Sequence, residues 1–205
     1  MKRLTLIIIG VLLCTPLYSD MNPYIAGVPV SGGCSSACDP ESNEVGNRVN
    51  NSGPGGAGNI GPGASMAYLA TPDCAGYLTT ANIYSVLAAF SGPVKILVYE
   101  DDGDNAPGGG DSLVSKTGSI SGGEDTTWYS GAILDCSLVD TEKNYWVVIA
   151  VDDDSANGLR YEYSNTGGTA YTATDGDYYD TEPATLETGS WSSVRRHICV
   201  YVTLD

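Results

Sequence analysis

A succession of short β-favouring runs, nearly all separated by glycine, proline, asparagine or aspartate, constrains this chain more than any other feature. The runs are Met66 to Ala70, Gly76 to Ala88, Val94 to Tyr99, Leu113 to Thr117, Thr127 to Ile133, Tyr145 to Val151, Leu159 to Tyr163 and Ile198 to Leu204. Such spacing predicts antiparallel strands joined by turns. Tyr145 to Val151 is apolar on both parities, which predicts a central strand covered on both faces. The last run alternates, with Ile198, Val200, Val202 and Leu204 on one side and Cys199, Tyr201 and Thr203 on the other. After the N-terminal apolar stretch no segment sustains a helical period. The expected fold is all-β: an antiparallel, jelly-roll-like β-sandwich with an irregular N-terminal arm.

The first nineteen residues read as a removable secretory leader. Lys2 and Arg3 precede the apolar run Leu4 to Leu13, and Pro16 and Ser19 supply a cleavage point before Asp20. The run is too short to span a bilayer, so no membrane span is expected there. Cys14 raises lipid anchoring as a competing reading, which bulky Leu13 at the adjacent position fits poorly. The expected location is extracellular or at the cell surface, where disulfides persist. Residues 20–64 read as an extended arm followed by a Gly/Asn/Pro-rich loop, and residues 65–205 as the sandwich domain. Thr166 to Ser193 reads as a long excursion with one weak strand near Thr169 to Thr174.

With a net charge of -16 the chain repels nucleic acid and anionic membrane surfaces, so neither is an expected partner. Loss of Cys14 leaves Cys34, Cys38, Cys74, Cys136 and Cys199, an odd number. Cys34 and Cys38 enclose a small loop that a disulfide can close, and one further thiol stays free or pairs between chains.

The stretch from Gly76 to Val151 carries a recurring order. Val94 to Tyr99 runs into Glu100-Asp101-Asp102-Gly103, Pro107-Gly108 precedes the return strand at Leu113, and a Trp128 strand, Leu138 and Tyr145-Trp146 follow. It resembles a jelly-roll-like β-sandwich module of bacterial extracellular and surface proteins and of virus fibre-type proteins. Relatives of that kind are mostly accessory binding or surface modules. The resemblance implies a non-catalytic role and carries no catalytic residues onto this chain.

Four constellations are candidates for chemistry. Gly110-Asp111-Ser112-Leu113 spells a serine-esterase signature, but the single histidine, His197, follows Val194 where that family has aspartate, and a serine without an oriented base is a poor nucleophile. The acidic loops with Asp101, Asp102 and Asp104, and with Asp152, Asp153 and Asp154, offer the clustered oxygens that calcium requires, although the same residues serve simply as turn formers. Tyr178, Tyr179 and Trp191 beside Asp177 and Asp180 form a candidate glycan patch, with rings to stack on sugars and carboxylates to bond hydroxyls; the competing reading is packing. Tyr24, Ile25, Val28 and Val30 in the arm can add a strand to a neighbouring copy. The expected function is extracellular binding or adhesion, with surface glycans as the candidate ligand. The alternative is a structural subunit of a filament or surface layer, self-associating through the arm.

Overall fold

The computed structural model describes residues 44–47, 56–85, 92–122, 127–135, 137–164, 170–174, 178–187, 191–194, 197–198 and 200–204, all within the compact unit Gly32–Asp205. The leader, the arm residues Tyr24, Ile25, Val28 and Val30, and Cys34, Cys38, Cys136, Asp177 and Cys199 lie outside the described residues.

Every pairing is antiparallel, as strands joined by turns dictate. The largest sheet has six strands in the order β12 (Ser192–Val194), β11 (Ala170–Ala173), β3 (Ser65–Ala70), β9 (Tyr145–Val151), β5 (Val94–Glu100) and β6 (Ser112–Lys116). A second sheet runs β1 (Glu44–Asn47), β14 (Val200–Leu204), β4 (Gly76–Ser85) and β7 (Thr127–Ala132), with β8 (Leu138–Val139) pairing the start of β4. A third, small sheet joins β13 (His197–Ile198), β10 (Leu159–Ser164) and β2 (Gly56–Ile60). The sheets pack against each other as a β-sandwich.

Alternation along the strands builds two cores rather than one. Tyr145, Val147, Ile149 and Val151 of β9 face a core shared with Ala81 and Ile83 of β4, Val200 and Val202 of β14, and Leu159 and Tyr161 of β10. Trp146, Val148 and Ala150 face a second core on the other side of the six-stranded sheet, with Leu97, Tyr99, Tyr178, Tyr179 and Leu186. Every residue of β9 is therefore buried, as its continuous apolar run predicts.

Three departures from the sequence reading have physical causes. Strands β1 and β2 come from the stretch expected to be loop; their backbones are recruited by antiparallel ladders to β14 and β10, with Ile60 of β2 joining the core. The final run supplies two strands in different sheets, β13 pairing β10 and β14 pairing β4. The excursion after Thr166 carries its expected weak strand as β11 (Ala170–Ala173) but is otherwise no free loop: a single helical turn α1 (Tyr178–Thr181) and Leu186 cover the outer face of the six-stranded sheet.

Candidate functional site

Strands β5 and β6 pair from Leu97↔Lys116 to Glu100↔Ser112, and residues 101–111 form the loop between them. The first and last residues of that loop, Asp101 and Asp111, flank the closing pair, so hairpin register alone brings two carboxylates together. Gly103 (φ 101°) and Asn105 (φ 58°) turn the chain in the left-handed region, where glycine and asparagine are the cheapest residues. Gly110 has no side chain to strike the Asp102 carboxylate that lies against it.

Asp111 exposes 0 % of its surface and organises the loop: Oδ1 accepts from the Asp102 N–H at 3.0 Å and Oδ2 from the Gly108 N–H at 2.8 Å. Asp101 exposes 9 %. Its Oδ1 accepts from the Trp146 Nε1–H at 3.1 Å, while Oδ2 is buried with no hydrogen-bond partner. Asp101, Asp102 and Asp111 each present an oxygen, all within 4.8 Å of one another. Burial pushes the Asp111 carboxyl above its ordinary value; the Gly108 and Asp102 N–H groups pull it back, and the charges of Asp101 and Asp102 push it up again.

The loop is knitted into its surroundings at this end of the sandwich. The Asp101 N–H donates to the Asn144 carbonyl at 3.0 Å, and the Leu186 N–H to the Asp111 carbonyl at 3.1 Å. Asn144 Nδ2 donates to Asn105 Oδ1 at 2.9 Å, Thr71 Oγ1 donates to Asn144 Oδ1 at 2.5 Å, and Lys143 pairs with Glu100 at 2.6 Å. Asp104 does not join the convergent group; its Oδ1 accepts from the Ala106 N–H at 2.7 Å, a local turn that holds it outward.

Asp152, Asp153 and Asp154 also converge within 4.8 Å, at the far end of β9. Asp152 Oδ1 accepts from the Asp154 N–H at 2.9 Å, the geometry of an Asx turn, and Asp153 and Asp154 are exposed. The Ser155 hydroxyl is buried without a hydrogen-bond partner, but it packs into the space left by Gly92.

The candidate glycan trio is placed as the packing alternative describes. Tyr178 exposes 1 % and Tyr179 9 %, because both rings cap Trp146, Val148 and Leu97 on the outer face of the six-stranded sheet. Tyr178 Oη accepts from the Glu187 N–H at 3.2 Å, and the Tyr179 hydroxyl bonds Ser119 Oγ at 2.9 Å. Lys95 Nζ lies 4.5 Å from the centre of the Tyr179 ring. Trp191 packs against Tyr178 at 5.4 Å, half-buried at the margin of this core. Asp180 is exposed on α1. The physical reason is that an apolar sheet face must be covered, and these rings are the apolar surface available to cover it.

A second aromatic pair lies elsewhere, at the margin of the strands. Tyr84 of β4 and Trp128 of β7 are directly opposite in register, with ring centres 5.2 Å apart, and both are half-buried and outside the two cores. Two residues along, Ser130 Oγ donates to Asn82 Oδ1 at 2.6 Å. The alternation of half-buried strands could have exposed this pair, since Ile83 between Tyr84 and Asn82 faces the core.

Ser112 is exposed at the start of β6, whereas His197 lies in β13 of the small sheet. No helix among the described residues is long and apolar enough to cross a membrane. No family model matches the chain, and no curated protein matches its sequence.

Proposed function

We propose that this chain is an exported, non-catalytic β-sandwich protein that works outside the cell by binding or adhesion, with surface glycans as its ligand. The observation that carries the reading is the Tyr84–Trp128 ring pair beside the Asn82–Ser130 hydrogen bond. Carbohydrate recognition needs an aromatic face for the C–H side of a sugar and polar groups for its hydroxyls; this strip of β4 and β7 offers two half-buried rings and the exposed Ser130 hydroxyl, held in place by the buried Asn82 amide. Export is supported by the basic-then-apolar start from Lys2 to Leu13, and a binding role by the resemblance to jelly-roll-like surface modules.

A glycan array with the purified full chain tests the proposal. The expected result is a signal that falls at least about tenfold, roughly the worth of one stacked aromatic, in Tyr84→Ala and in Trp128→Ala. Tyr178→Phe removes a buried hydroxyl and leaves the signal intact. A blank array with the unmutated protein, or a signal indifferent to both substitutions, overturns the reading.

A further inference from the structure

We propose that Asp101, Asp102 and Asp111 form a calcium-binding site at the mouth of the β5–β6 hairpin. Three carboxylate oxygens within 4.8 Å of one another match the span of roughly 5 Å between oxygens on opposite sides of one calcium ion. Proximity alone would not suffice, because acidic turns often bind nothing. The second observation is Asp101 itself. It exposes 9 % of its surface, Trp146 occupies one of its oxygens, and the other is buried without a hydrogen-bond donor. A buried carboxylate oxygen left without a donor beside two further carboxylates is costly to the fold by itself. A hard cation answers both problems: it supplies the missing partner and cancels the repulsion among the three groups.

The site goes beyond the glycan reading and does not depend on the Tyr84–Trp128 strip. The donor set is all oxygen, with no imidazole or thiolate, which selects calcium or magnesium over transition metals. Calcium is favoured because an irregular hairpin loop adapts to a variable coordination shell more readily than to the strict octahedron of magnesium.

The test uses the full chain, stripped with chelator and titrated with calcium chloride or magnesium chloride. Calorimetry is expected to show one calcium site with Kd of about 10⁻⁴–10⁻³ M, in the range of extracellular modules, and weaker binding of magnesium. The melting midpoint is expected to rise by about 5–10 °C when calcium exceeds Kd by about 100-fold. Trp146 donates to Asp101, so indole fluorescence should change along the same isotherm.

Asp101→Asn keeps an oxygen for Trp146 and removes one of the repelling charges. Its midpoint in chelator should equal or exceed that of the unmutated protein, while the calcium response disappears. Asp102→Asn, at an exposed position, should abolish the response without affecting folding. Asp153→Asn, at the other acidic cluster, should leave it unchanged. Absence of calcium heat in the unmutated protein, an undiminished response in Asp101→Asn or Asp102→Asn, or loss of the response in Asp153→Asn would each overturn the assignment.

Discussion

Gly158 sits where any side chain would run into backbone. A Cβ there would meet the carbonyl of Ile60 and the Cα of Gly61, neither of which can rotate away as a side chain can. Gly158→Ala is expected to cost roughly 1–3 kcal/mol, the usual range for overpacking, read as a lower urea midpoint. Gly61→Ala is the matched control: its Cβ would meet nothing within 4 Å, and the midpoint should hardly move. At the same scale, Asp111 shows why the sequence hides part of the acidic site. In the linear chain it belongs to Gly110-Asp111-Ser112-Leu113, letters that suggest a nucleophile's neighbour. Only the hairpin register, Glu100 opposite Ser112, returns it to Asp101. Asp104, two residues past Asp102, is turned outward by its own Asx geometry.

The segment that covers the six-stranded sheet is held by charge as well as by its rings. Glu182, in a left-handed conformation (φ 43°) that favours glycine, follows α1 directly. Its two oxygens take hydrogen bonds from Lys95 and Lys116, each at 2.5 Å, with all three side chains less than a third exposed. Burial opposes ionisation of Glu182, but the bonds from Lys116 and Lys95 outweigh it and hold the carboxyl below its ordinary value. A carboxylate depressed by folding adds stability above its unfolded pKa and loses it as pH falls through the folded one. Glu182→Gln is therefore expected to cost about 1–3 kcal/mol at neutral pH, with the gap to the unmutated protein closing as the solution is acidified through and below the carboxylate range. Denaturant titrations over that range measure it; a gap independent of pH would refute the ion-pair account. How legible each element was follows from what holds it. Strand β9 could be read directly because Tyr145–Val151 is apolar on both parities. Strands β1 and β2 could not, because Glu-Val-Gly-Asn and Gly-Ala-Gly-Asn-Ile owe their conformation to partner backbones distant in sequence. The aromatic residues of α1 looked like a ligand patch because tyrosine and tryptophan serve a sugar or a core equally well; only the bare outer face of β9 decides between the two.

At the scale of the molecule, acid excess acts everywhere at once. A net charge of -16 repels itself in the folded state more than in the expanded chain. Raising sodium chloride from about 10 to about 150 mM shortens the screening length from roughly 30 to 8 Å, so the melting midpoint in chelator should climb by a few degrees. A midpoint that falls with salt would show that attractive pairs such as Lys143–Glu100 outweigh the general repulsion. Strand β9 arranges this charge in a particular way. Its Tyr145 end pairs with Glu100 beside Asp101, and its Val151 end leads into Asp152, Asp153 and Asp154, so carboxylates cap both ends of one strand, separated by roughly 20–25 Å. Copies approaching pole to pole along the strand direction meet like against like. A divalent cation held by Asp101, Asp102 and Asp111 would relax that repulsion at one pole, making encounters between these molecules depend on the hardness of the surrounding water.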